Sequence, residues 1–175
     1  IALSASAIAA VSSIGKPWHR RAALRVFRDQ TALSASPALW GSITRAMDES
    51  AWFVLVASPA AADSAWVDKE VAYWLATKGP DRVLTVVLDG TWTWNREVGG
   101  FDPTESTAVP PSLRSAFSEE PRHLDLAWAL EEPALTIRTP RWRDQIAELA
   151  APIHGVAKED LTGIDLNEHR RTLRI

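Results

Sequence analysis

Trp52-Phe53-Val54-Leu55-Val56-Ala57-Ser58-Pro59 decides the fold. The run is apolar, of strand length, and ends in Ser-Pro. With so few polar positions it reads as a central strand, buried on both faces in a parallel sheet. Ahead of it, Leu39, Ile43, Ala46 and Met47 recur at helical spacing, which predicts a helix over Leu39 to Glu49. Behind it, Ala60 to Thr77 reads as a second helix, stopped by Gly79-Pro80. Val83-Leu84-Thr85-Val86-Val87-Leu88 is a further buried strand, closed by Asp89-Gly90. Helices alternating with short buried strands specify an α/β domain with a parallel sheet.

The remaining segments extend this pattern. Leu3, Ala7, Ala10, Val11 and Ile14 form a helical stripe that Gly15 and Pro17 end, and Ala23 to Phe27 reads as a short strand. Arg28 to Pro37 is polar and reads as a loop. Thr91 to Pro111, with Trp92, Trp94 and Gly99-Gly100, reads as a long irregular segment, a kind that is usually functional or mobile. Leu113 to Phe117 is a short helical piece, and Arg122 to Leu126 alternates as an outer strand would. Arg141 to Ile153 is a last helix, with Trp142, Ile146, Leu149 and Ile153 on one stripe. The expected organisation is one domain over 1–153 and a charged linker or docking tail over 154–175.

At 175 residues the chain suits one well-buried domain. A formal charge of -3 argues against a general nucleic-acid binder, which needs a clustered basic surface. The local exception is Lys16 to Arg28, with Arg20, Arg21 and Arg25 between. It reads either as a solvated helix end or as an anion-facing rim. The absence of cysteine excludes disulfides, thiolate zinc sites and cysteine nucleophiles, and makes a cytoplasmic setting the expectation. No stretch reaches the ~20 apolar residues of a membrane span. Ile1 to Gly15 lacks the basic start of a signal peptide, and because residue 1 is not Met, the expectation is a piece of a longer multidomain protein.

Candidate chemistry centres on Trp66 and Glu70, in Ser64-Ala65-Trp66-Val67-Asp68-Lys69-Glu70. Residues four apart share a helix face, so an indole and a carboxylate stand side by side. The helix follows a strand, and ligands of open parallel sheets bind beyond the strands' carboxyl ends. Trp66 reads equally well as packing for the helix start, and Glu70 as a solvated glutamate. Other chemistries fit less well. There is no Gly-x-Ser-x-Gly elbow, Gly-rich phosphate loop or Walker motif, and the four histidines lack zinc-like spacing, so no metal is expected. Of the nine tryptophans, Trp40, Trp52, Trp74 and Trp142 fall on apolar faces and read as core. Trp92 and Trp94, in the long loop, either cover a pocket or pin the loop.

The order strand, polar loop, helix, strand ending in Ser-Pro, then Ser-x-Trp-x-x-x-Glu resembles a TIR (Toll/interleukin-1 receptor) domain. Val26-Phe27-Arg28-Asp29 through Leu33 and Pro37 is similar to that family's second strand and BB loop. Phe53 to Pro59 is similar to its third strand, and Val86-Val87-Leu88-Asp89-Gly90 with Trp92 or Trp94 to its fourth strand and following loop. Ser64 to Glu70 matches the stretch that holds the catalytic glutamate of NAD-cleaving members. Lys16-Pro17-Trp18-His19-Arg20-Arg21 and the tail resemble bacterial, particularly actinobacterial, multidomain members. The likeness covers about Ala7 to Ile153, and the family's first strand is not found ahead of it.

The resemblance implies a flavodoxin-like three-layer fold and cleavage of NAD at the nicotinamide–ribosyl bond, in signalling or defence. NAD is then a substrate, and no cofactor is required. Glu70 is the implied catalytic residue, with Trp66, Ser64, Arg28, Asp29 and Trp92 binding substrate. Gln30, Thr31, Ala32, Leu33, Ser34, Ala35, Ser36 and Pro37, the BB loop, are the implied surface for assembly with other TIR domains. Two alternatives stand beside this: a non-catalytic TIR–TIR interaction module, and a flavodoxin-like binder of a small nucleotide without turnover.

Overall fold

The computed structural model describes residues 39–132, 135–136 and 138–161, which fall into two compact units, one ending at Glu132 and one following it. In the first, helix α1 (Leu39–Glu49) buries Ile43 and Met47, the apolar stripe of its spacing. Strand β1 (Phe53–Ala57) follows. The helix expected over 60–77 is two helices, α2 (Pro59–Ala62) and α3 (Ala65–Lys78), broken at Asp63-Ser64. Two serines explain the break. Ser58 Oγ accepts from Ala61 N–H at 3.2 Å to cap α2, and Ser64 Oγ accepts from Val67 N–H at 3.3 Å to cap α3. A side chain that serves as a helix start cannot also sit in the interior of a preceding helix.

Strand β2 (Val83–Val87) pairs in parallel with β1, Phe53 opposite Val83 through Ala57 opposite Val87. The expected irregular segment contains a ribbon, β3 (Trp94–Asn95) against β4 (Gly100–Phe101), antiparallel. A 3₁₀ turn over Pro111–Leu113 replaces the short helix expected from Leu113. Strand β5 (His123–Asp125) pairs in parallel with β2, and only its middle residue, Leu124, is buried. The α/β fold with a parallel sheet is therefore as expected, and among the described residues the strand order is β1-β2-β5. The strand expected at 23–27 lies outside the described residues.

Hydroxyl groups, which leave no periodic trace in a sequence, order the long segment. Ser106, buried, donates its hydroxyl to the Thr93 carbonyl at 2.8 Å and accepts from Thr93 N–H at 3.2 Å. Asp102 Oδ1 accepts from the Thr104 hydroxyl and from the Thr104 and Glu105 N–H groups, which holds its carboxyl below the ordinary range. Gly90, at φ +80°, lies where a Cβ would stand 2.7 Å from Thr107 Oγ1 and 2.9 Å from the Pro59 ring. Only glycine suits both that backbone and that space. The turn after β2 is thus pressed onto the start of α2, which follows β1.

The second unit holds helix α4 (Pro140–His154), with Trp142, Ile146 and Leu149 buried as the sequence stripe predicts. Gly155 ends it in the left-handed conformation. Lys158 Nζ reaches back to Asp144 Oδ2 at 2.8 Å and Glu148 Oε2 at 3.4 Å, and the Asp144 bond raises its pKa. The remainder of the expected tail, 162–175, lies outside the described residues. Among the described residues no helix is long and apolar enough to cross a membrane.

Lys78 fastens the two long helices of the first unit. Its ammonium donates to the Met47 carbonyl at 2.7 Å, the Asp48 carbonyl at 2.8 Å and the Ser50 carbonyl, and sits 4.7 Å from the centre of the Trp74 ring. A helix end leaves its last carbonyls without intrahelical donors, and a cation there also suits the helix dipole. Lys78→Met, which keeps the stem and loses the ammonium, is expected to lower unfolding free energy by about 2–4 kcal/mol in urea denaturation, since it strands several carbonyl groups at once.

Candidate functional site

Helix α3 carries the proposed site residues, and its sequence is apolar on two sides rather than one. Val67, Val71 and Leu75 pack into a cluster with Leu55, Ala57, Val87, Phe101, Val109 and Leu113. Trp66, Tyr73 and Trp74 pack toward Ile43 and Met47 of α1. Glu70 is half-buried and, one turn after Trp66 and one turn before Trp74, belongs to the stripe on the α1 side.

Trp66 meets Trp40 edge to face, ring centres 5.7 Å apart, and Trp40 meets Tyr73 in the same way at 5.9 Å. The Lys69 ammonium stands 3.8 Å from the centre of the Trp40 ring and 5.5 Å from that of Trp66. Tyr73 donates its hydroxyl to Asp48 Oδ1 at 2.9 Å, which raises the phenol's pKa because the bond and the neighbouring carboxylate both disfavour the phenolate. Together with Lys78, these contacts attach α1 to the glutamate-bearing helix near both ends.

The expected site residues separate into three groups. Glu70 and Trp66 share one stripe of α3, and Ser64 starts that helix, its oxygen engaged as the cap. Trp92 packs elsewhere. It stands edge to face on Phe101 at 4.8 Å and tilted against His123 at 5.8 Å, within the cluster on the Val67–Val71 side of α3. Its contacts pin the long loop, and among the described residues no ring contact joins it to Trp66. Arg28, Asp29 and the loop Gln30, Thr31, Ala32, Leu33, Ser34, Ala35, Ser36 and Pro37 lie outside the described residues.

Asp68, the other carboxylate of the motif, faces away from Trp66. Its Oδ1 accepts from Ser112 N–H at 2.7 Å, tying the first turn of α3 to the 3₁₀ turn at Pro111–Leu113. Trp40, which the sequence pattern reads as core, and Lys69, to which it gives no role, are neighbours of Trp66. The available signal was Lys69 standing three residues after Trp66, hence on the same side of the helix. Nothing local could show that Trp40, on another helix, would come beneath it. Among the described residues no group of three or more His, Asp or Glu side chains is arranged to hold a metal ion. Glu70 and Trp66 thus lie one turn apart on α3, Trp66 packed toward α1.

Comparison with known proteins gives this arrangement a context. The chain is 54% identical, over 162 residues, to the NAD(+) hydrolase ApTIR of Actinoplanes sp. (strain ATCC 31044 / CBS 674.73 / SE50/110). That likeness covers 93% of this chain and 22% of the relative, so the chain spans about a fifth of the relative's length. No solved structure matches the chain significantly. The TIR domain family matches residues 17–108, more than half of the sequence, and the chain belongs to that family.

Proposed function

We propose that this domain cleaves the nicotinamide–ribosyl bond of NAD, releasing nicotinamide and leaving ADP-ribose or a cyclic isomer, with Glu70 as the catalytic carboxylate. The observation that carries the reading is the 54% identity, across 93% of the chain, to a relative named as an NAD(+) hydrolase. The half-buried Glu70 one helical turn from the Trp66 indole is consistent with it. The proposed setting is signalling or defence in the cytoplasm, with assembly through the loop at 30–37.

A single carboxylate is enough for this reaction. Glycosidases use two because the departing oxygen must be protonated. In NAD the nicotinamide leaves a cationic bond and departs neutral, so no general acid is required. The glutamate holds the ribose hydroxyls and stabilises positive charge as it develops on the ribosyl carbon. In a site that excludes water, one such interaction contributes on the order of 3–4 kcal/mol. Water, which gives up a proton to solvent, or a ring nitrogen of the adenine of the same molecule then bonds to the ribosyl carbon. Trp66 supplies a flat wall beside the reacting sugar, and Arg28 and Asp29 are the proposed contacts to the rest of the dinucleotide.

Glu70→Ala is expected to lower nicotinamide release by about 10²–10³-fold while its circular dichroism stays that of a folded domain. Full turnover by that variant would remove Glu70 from the mechanism. Asp68→Asn should retain most of the activity, because the amide oxygen still accepts from Ser112 N–H; equal inactivity there would shift the assignment to Asp68. Specific activity is expected to rise with protein concentration, as a site completed by assembly requires. Release that stays strictly proportional to protein would argue for a self-sufficient subunit, and no release at any concentration would leave an interaction module.

A further inference from the structure

We infer that Lys69 is a positioning residue for this reaction: its ammonium clamps Trp40 and Trp66 together, and so holds the aromatic wall beside Glu70. The inference rests on the NAD-cleaving reading and adds to it two residues, Lys69, at an unspecified position of the motif, and Trp40, outside it.

The contacts are unusual for an exposed lysine. An ammonium is strongly hydrated and, on a helix surface, ordinarily stays in water or meets a carboxylate. Lys69 has no carboxylate partner among the described residues. Instead Nζ lies 3.8 Å from the centre of Trp40 and 5.5 Å from that of Trp66, whose rings stand nearly perpendicular at 81°. An edge-to-face pair leaves a ring face open, and that negative face is where a cation binds best. One charge therefore bridges two indoles from two helices. Lys69 covers Trp66 from α3, and Trp40 is the first-turn residue of α1 that closes the pair.

The consequence falls on Trp66 rather than on Glu70. The carboxylate is carried by the backbone of a helix that is secured by its caps, by Asp68 and by Lys78 whether or not Lys69 is charged. Among the described residues the indole's ring contacts are with Trp40 of α1 and with the Lys69 ammonium, so the cation is part of the packing that fixes its angle. Loss of the charge thus loosens the wall that receives substrate and leaves the group that stabilises the transition state. Uniform binding is lost, which appears in KM and not in kcat.

Steady-state nicotinamide release by Lys69→Met, Lys69→Arg, Trp40→Leu and the double variant Lys69→Met/Trp40→Leu tests this, with Glu70→Ala as control and melting temperatures recorded throughout. Lys69→Met should raise KM about 2- to 5-fold, the range of an exposed cation–π contact, with kcat within two-fold of wild type. Lys69→Arg should restore KM, since a guanidinium also stacks on an indole. In the Trp40→Leu background, Lys69→Met should add nothing, because the ring through which it acts is gone. Additive effects would mean that the ammonium acts directly on substrate, and would overturn the inference. So would a KM unchanged in Lys69→Met, even with a lowered melting temperature. If Trp40→Leu does not fold, Trp40→Phe takes its place, and a smaller effect of Lys69→Met there is required. Glu70→Ala that is inactive alongside an unaffected Lys69→Met defeats the clamp alone. Full turnover by Glu70→Ala, or no turnover by wild type, defeats the reaction itself and the clamp with it.

Discussion

Helix α3 has to satisfy two cores at once, and the first unit is arranged around that demand. Val71 and Trp74 are both fully buried, yet they pack in different clusters, one with the long loop and the sheet, the other with α1. A helix apolar on two flanks leaves little room for polar side chains except at the seams. Glu70 stands at the seam with α1, and Asp68 at the seam with the Pro111–Leu113 turn, where a backbone N–H meets it. Two carboxylates two positions apart are thereby given different surroundings by the same helix. Asp68 ties the helix to that turn, and Glu70 lies one turn from Trp66.

What was legible in the sequence follows from which forces are local. The strands over Phe53–Ala57 and Val83–Val87 announce themselves as nearly continuous apolar runs, and α1 coincides with its predicted span because its stripe of Leu39, Ile43, Ala46 and Met47 begins after Pro37 and ends at Asp48-Glu49. The break between α2 and α3 was missed. No glycine or proline marks it, and Ser64 signals a cap only once its hydroxyl is seen to meet Val67 N–H. The ribbon between Trp94 and Phe101 was missed for a related reason. Its strands are two residues each, too short for alternation, and its order comes from Ser106 and Asp102.

The site divides in the same way. The Trp66–Glu70 pairing is a matter of helical spacing and could be read directly. That Trp40 would stand edge-on to Trp66, and that Lys69 would cross both, depends on how α1 approaches α3. No local pattern encodes that approach. Trp92 is a similar case: its place in the long loop could be read directly, and its packing on Phe101 and His123, from distant parts of the chain, could not.

The joint at Asp63-Ser64 has a mechanical consequence. Along an unbroken helix, one residue added near the start rotates everything after it by about 100°, which would swing a downstream carboxylate to another side of the molecule. Here Ser64 begins α3 afresh, so Glu70 takes its angular setting from Ser64 and not from Pro59. Insertions or deletions within Ala60–Ala62 would be absorbed at the joint. The stretch leading out of β1 can therefore change in length without turning the acid away from its neighbours.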